Sequence, residues 1–269
     1  MCTVRQQVTL TAPLYERRAK TLAQIPNFWP LVLEQAPPDI DQYIQPSDSA
    51  LLLSSLLSLS VSHFELDVDP RSVSISFTFS PNEYFNNEVL QKKFWYRNAK
   101  DGWSGLVSEP VKIDWKKGKD LTGGLLDLVV KAWEQESGKL SGKLTAEQKS
   151  LMKKIEGTGM GGLSFFAWFG FIGRRISAEE SIEATKAEAK AVADRKAGKK
   201  SEGCCDHDHA DGHEHAHGDG EDEEMDDLDL EMGLEIFPDG DDLAVAIAED
   251  LWPGAIKYFS EPFFSPNSG

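Results

Sequence analysis

From Ser72 apolar and polar residues alternate without a break as far as Ser80: Val73, Ile75, Phe77 and Phe79 on one side, Ser74, Ser76, Thr78 and Ser80 on the other. Successive side chains leave opposite faces of a pleat, so this period of two predicts an antiparallel strand with an apolar face inward and a small hydroxylated face outward. Pro81 removes a ladder donor, Asn82 and Asn86-Asn87 supply turn chemistry, and Tyr84 and Phe85 return to the apolar layer. Val89 to Arg97 alternates again as the partner. Leu59 and Val61 predict a strand ending near Glu65. Val111, Ile113 and Trp115 predict another after a loop from Asn98 to Pro110. The expected class is α+β: an antiparallel sheet with one face covered by helices.

The helical signals have a different period. Leu10, Leu14, Leu22 and Ile25 recur at roughly helical spacing, predicting an N-terminal helix to about Gln24, with Pro13 either in its first turn or kinking a longer helix. Two prolines around Phe28-Trp29 break it. Ser47 or Asp48 is the expected cap of a helix through about Leu57. Leu125 to Trp133 reads as an apolar helix. Thr145 with Gln148, and Ser177 with Glu180, read as capping boxes. Ser164 to Phe171 packs five aromatics into eight positions and must anchor in the core. Asp239 is the expected cap of a helix carrying Leu243, Ile247 and Leu251 on one face, ended by Trp252-Pro253.

Composition changes the picture at one place. The 269 residues carry a formal charge of -17, but residues 201–231 hold 14 acids and no Lys or Arg, leaving 31 acids against 28 bases elsewhere. The chain reads as a nearly neutral globule bearing an acidic segment, expected to be disordered over 199–232 because it has little apolar content to bury. Its field repels nucleic acid and draws in basic proteins. Three cysteines, two of them adjacent, make no disulfide framework and suit a reducing compartment. No run is long and apolar enough to suggest a signal peptide or a bilayer span, so a soluble intracellular protein with no membrane partner is expected.

Five blocks, in order, resemble the nucleosome assembly protein family of histone chaperones. They are Ile25 to Trp29, Phe77 to Leu90 around Asn82-Glu83-Tyr84-Phe85, Lys112 to Thr122, Ser164 to Phe169, and Glu249 to Pro253 followed by Lys257-Tyr258-Phe259. The Lys112 to Thr122 block is most similar to the SET, or template-activating factor, branch. The resemblance covers about residues 13–122, 164–171 and 236–262. It implies an earmuff-shaped domain over 25–198 and 233–262, preceded by a dimerisation helix at 1–24 and followed by a tail at 263–269. It also implies a nuclear and cytoplasmic protein whose acidic underside binds core histones, and a role shared by some SET-like members in inhibiting a phosphatase or an acetyltransferase. Here the helix is short, so a monomer or weak dimer is expected. The acidic run precedes the last helix, and Gly170-Phe171 follows the aromatic block where the family has polar residues.

Candidate histone contacts are Glu235, Asp239, Asp241, Asp242, Glu249 and Asp250, with Glu221, Asp222, Glu223, Glu224, Asp226, Asp227 and Asp229 in the acidic segment. By pattern alone the first set reads as a solvated helix face whose early acids complement the helix dipole; the resemblance favours a histone surface. Trp29, Trp168 and Trp252 are expected core anchors. Lys92, Lys93, Arg97, Lys100, Lys116, Lys117 and Lys119 read either as edge-strand lysines that oppose aggregation or as a nucleic-acid patch, the first being favoured. Cys204, Cys205, His207, His209, His213, His215 and His217 offer thiolate and imidazole donors that suit zinc, nickel or copper, but their spacing matches no closed zinc module. A metal-buffering protein is therefore the alternative function, against compositional drift in an acidic insert. No phosphate loop, nucleophile elbow or paired catalytic acids appear, so no enzyme and no cofactor is expected, nor any sequence-specific nucleic acid.

Overall fold

The alternating stretch becomes the second of four strands in an antiparallel sheet of order β1-β2-β3-β4. The strands are β1 Leu56–His63, β2 Val73–Phe79, β3 Val89–Asn98 and β4 Ser104–Ser108. The computed structural model describes residues 2–136, 144–158, 162–196 and 233–260. The helices are α1 Cys2–Leu22, α2 Phe28–Glu34, α3 Pro38–Asp41, α4 Pro46–Ser55, α5 Leu125–Glu136, α6 Ala146–Thr158 and α7 Ala178–Lys196. After the segment outside the described residues come α8 Gly240–Val245, a π turn Ala246–Leu251, and α9 Ala255–Ser260. Both predicted capping boxes form, with Thr145 and Gln148 exchanging bonds of 2.6 and 3.2 Å and Ser177 and Glu180 of 2.9 and 3.1 Å.

The register pairs Phe77 with Leu59 on one side and Leu90 on the other, so the inward faces of three strands form one apolar layer. Against it lies a 3₁₀ turn, Phe165–Gly170, buried at every residue. Phe77 meets the edges of Phe165, Trp168 and Phe169, and Phe94 stacks on Trp168 with centroids 5.3 Å apart. Edge-to-face and offset pairs of this kind add to plain area burial.

The fourth strand is not where alternation put it. β4 lies within the stretch read as a loop, and Val111 to Trp115 contributes only an isolated bridge from Trp115 to Phe85. Asp101-Gly102, a strong hairpin signal, decides the outcome: Gly102 takes φ of 88°, Asp101 Oδ1 accepts the Trp103 N–H at 3.0 Å, and Ala99 N–H donates to Trp103 O at 2.8 Å. Val111 N–H goes instead to Phe169 O at 2.8 Å, which ties this segment to the aromatic turn.

Asp48 is not the cap of α4 but its third residue. Gln45 is the N-cap, and Asp48 accepts its N–H at 3.0 Å. The same carboxylate accepts Ser164 Oγ–H at 2.6 Å and the Phe165 N–H at 2.7 Å, so it clasps α4 to the start of the aromatic turn. Burial pushes its pKa up, and the three donors oppose that shift. Asp48→Ala should cost about 3 kcal/mol in chemical denaturation, because charge-assisted bonds are lost and three donors are stranded. Asp48→Asn, which keeps acceptor capacity, should fall between that variant and the parent.

Lys92 is neither an edge lysine nor part of a surface patch. It shares the inward face of β3 with Leu90 and Phe94 and is 0% exposed. Its Nζ donates to the carbonyls of Glu109, Phe169 and Phe171 at 3.0, 3.1 and 2.9 Å. Ser74 also departs from its expected solvent face: it is buried, and its Oγ has no partner among the described residues.

On α1 the residues turned toward the body are Val4, Val8, Thr11, Tyr15, Arg18 and Leu22, while Leu10 and Leu14 are exposed. Arg18 lies 4.6 Å from the Tyr15 ring and 4.5 Å from the Trp252 ring, and donates to Pro253 O at 3.1 Å. Trp29 and Trp168 are core anchors; Trp252 is only half-buried and serves to seat α1.

Candidate functional site

α8 and the π turn can lie close to the core because of one glycine. A Cβ at Gly240 would stand 2.3 Å from Phe171 Cγ, and the Gly240 carbonyl accepts Trp168 Nε1–H at 2.8 Å. From there Leu243, Ile247 and Leu251 are all buried, as the spacing predicted. The helix widens over Ala246–Leu251, where Trp252 N–H reaches back five residues to Ile247 O at 2.9 Å. Pro253 follows immediately with no N–H to continue a regular ladder, and π turns recur at functional sites.

The outward side is acidic. Asp239, Asp242, Glu249 and Asp250 are exposed, and Asp241 is half-buried. Asp239 occupies the N-cap position of α8 but makes no capping bond, correcting the expectation from sequence; its carboxylate accepts Tyr43 Oη–H at 3.0 Å instead. Asp250 accepts Tyr258 Oη–H at 2.7 Å. Glu235 departs most. Its carboxylate accepts the N–H groups of Ile172, Gly173 and Phe237 at 2.9, 3.1 and 3.0 Å, so it latches the returning chain onto the end of the aromatic turn. Burial raises its pKa against those donors and the nearby Lys92. It is only partly exposed and acts first as a structural carboxylate, with both oxygens already accepting backbone donors.

Sequence reasoning missed α3. Its four residues are too few to show a helical period, but Pro38 is a favoured first helical residue, and the turn it starts carries exposed Asp39 and Asp41 with Tyr43 just beyond. Tyr43 gathers the site. Its pKa is pushed up to about 12, first by burial, then by the bond to Asp239 and the charges of Asp239, Asp242 and Asp39. Asp241 is raised by partial burial and by Asp242 and Asp239. Among the described residues no cation forms an ion pair with Asp39, Asp41, Asp239, Asp241, Asp242, Glu249 or Asp250. The site is therefore a carboxylate-rich face, unpaired with cations among the described residues, in which Asp239 and Asp250 are fixed by tyrosines. It is fit to receive clustered Arg and Lys side chains, whose charge-assisted bonds to carboxylates are the stronger kind.

The acidic segment from Glu221 to Asp229 and the metal-donor candidates from Cys204 to His217 lie outside the described residues. Among the described residues no group of His, Cys, Asp or Glu could hold a metal ion, and no helix is long and apolar enough to cross a membrane.

The family model described as Nucleosome assembly protein (NAP) matches residues 10–262, and the chain belongs to that family. A putative nucleosome assembly protein of Schizosaccharomyces pombe is 41% identical over 129 residues, 44% of this chain and 52% of its own length. Protein SET of Drosophila melanogaster is 34% identical over 122 residues, 44% of this chain and 43% of its own. The chain thus spans about half the length of these curated relatives. Among solved structures, Ccp1 superposes with a TM-score of 0.54 at 26% identity, covering 99% of this chain and 89% of that one. The Vps75 histone chaperone has a TM-score of 0.55 at 19% identity over 98% of this chain and 90% of its own, a likeness of fold. The antiparallel sheet packed on helices is the fold these proteins share.

Proposed function

We propose that this chain is a histone chaperone of the nucleus that works without catalysis. It offers core histones an acidic surface in competition with DNA, and so assists nucleosome assembly and disassembly. The observation that carries this reading is the carboxylate-rich face of α3, α8 and the π turn, on elements packed against the core and in no ion pair with a cation among the described residues, in a member of the nucleosome assembly protein family. Histones are strongly basic, so a field of this sign both steers them in and pairs with them on contact. The SET-like resemblance adds an acetyltransferase or a phosphatase as a regulatory partner.

The test is capture of purified core histones by the full chain and by a variant lacking residues 201–231, with a chelator present throughout. Both should bind. The deletion should weaken binding and make it less salt-sensitive, because a charged tract acts through attraction that fades as the Debye length shrinks. The folded body's melting temperature should be unchanged. Absence of histone binding by the full chain in chelator would contradict the reading.

A further inference from the structure

We propose that the lysine turn at residues 112–119 is a second binding site, one that contacts the phosphate backbone of duplex DNA. The structure takes apart the seven cations that sequence alone had grouped. Lys92 is buried, Arg97 is buried against Glu65 at 3.3 Å, and Lys93 and Lys100 are exposed but belong to the β3 ladder and its hairpin, Lys93 over the Phe64 ring at 5.4 Å and Lys100 beside Glu183 at 3.1 Å. Lys116, Lys117 and Lys119 remain together, joined by Lys112, and all four are exposed. They do not protect a sheet edge, because the segment lies outside the four strands. That removes the plainer explanation for them.

The turn is built and held. Lys119 N–H donates to Lys116 O at 3.0 Å, Gly118 takes φ of 73°, and nothing stands within 4 Å of where its Cβ would be. Lys116 N–H donates to Tyr84 O at 2.7 Å, Asn86 N–H to Asp114 O at 3.0 Å, and Asp114 N–H to Asn87 Oδ1 at 2.8 Å. Trp115 anchors the middle against Phe85 and Phe166, with centroids 5.6 and 5.7 Å away. These lysines therefore project from a backbone fixed on both sides, so little ordering is needed before they meet a ligand.

Their charge is also available. Lys112 and Lys117 are in no ion pair among the described residues. Lys116 Nζ donates to the Asn82 carbonyl, which carries no charge to neutralise it. Lys119 reaches Glu83 at 3.4 Å, but both side chains are largely exposed and such pairs are weak. Four lysines stand against one aspartate between 112 and 119, in a body that is nearly neutral outside residues 201–231. The carboxylate of that Asp114 takes Asn86 Nδ2–H at 2.9 Å. A concentration of positive charge on a nearly neutral body favours an anion. Lysine on a short fixed turn, presenting point charges, suits phosphate. Choosing DNA among polyanions rests on the histone-chaperone reading, since DNA is the polymer that takes histones from such a protein. The 14 acids of residues 201–231 oppose the contact, so affinity is modest and not sequence-specific.

The test uses the full chain, without histones, and fluorescence anisotropy of a labelled duplex of arbitrary sequence at about 50 mM salt and upward. Binding should fall about tenfold in Lys112→Glu/Lys117→Glu, and the slope of log affinity against log salt should become shallower by about two, one counterion per lysine lost. Lys186→Glu/Lys190→Glu on α7 carries the same charge change and should have little effect. Circular dichroism melts of all three proteins should coincide. The proposal is overturned by any of three results: no duplex binding at the lowest salt, equal losses from the two lysine pairs, or lysine-dependent binding of polyglutamate with none of duplex. Histone capture is scored separately, so failure of that reading and failure of this one are distinct results.

Discussion

Replacing Lys92 with methionine should destabilise the fold by about 3–5 kcal/mol, the range typical of leaving buried charged or hydrogen-bonding groups without their partner. Methionine fills similar space, so the loss is electrostatic rather than a cavity. The carbonyls of Glu109, Phe169 and Phe171 lose their donor together, and below about pH 7, where the lysine is charged, the Glu235 carboxylate also loses the cation that favours its charged form. These groups join β3, the exit of β4, the aromatic turn and the returning chain, so the variant should unfold cooperatively at much lower denaturant. The pH dependence separates this account from simple packing. Burial lowers the Lys92 pKa from 10.5 to about 7, so between those values the unfolded chain carries a proton that the folded one has released. Stability from this group therefore rises with pH across that window. The gap between parent and Lys92→Met should widen from pH 7 to pH 9, measured by denaturant midpoint; a gap that narrows would place the effect elsewhere.

That lysine also shows where sequence reading stops. Period-two alternation located β2 and β3, helical spacing located Leu243, Ile247 and Leu251 in the core, and two capping boxes marked the starts of α6 and α7 correctly. All of these are local rules, satisfied within a few residues. Lys92 obeys the same alternation, falling on the Leu90–Phe94 side, but a charge there was read as a surface group because its three acceptors lie 17 to 79 residues away. Glu235 was taken for a partner contact for the same reason: its donors at Ile172 and Gly173 are remote in sequence. Val111 to Trp115 has strand-like alternation but is held by the aromatic turn, while Asp101-Gly102 built the hairpin that supplies β4. The candidate site was half legible. The acids of α8 could be read from sequence, whereas Asp39, Asp41 and Tyr43 join them only through the packing of α3.

The central claim is that the ordered acidic face, and not bulk negative charge, determines histone affinity. Reversing Asp39, Asp242 and Glu249 to Lys should weaken histone binding by about a hundredfold, roughly 3 kcal/mol, since each exposed carboxylate–cation pair lost and replaced by repulsion is worth about 1 kcal/mol. All three are exposed, so stability should change by less than about 0.5 kcal/mol per site. Asp241 is left intact because it is half-buried and its pKa is already raised. Asp239 is kept for its bond to Tyr43.

The decisive measurement is the dissociation constant for core histones at physiological salt. It compares this triple reversal with one of equal charge at Glu221, Asp222 and Glu224. A fixed carboxylate pairs with Arg and Lys in set geometry, whereas a charged tract chiefly raises local concentration. The account predicts a loss from the α3, α8 and π-turn triple at least about ten times larger than from the tract. Equal losses would contradict it, and the acidic face would then have no claim as the histone site.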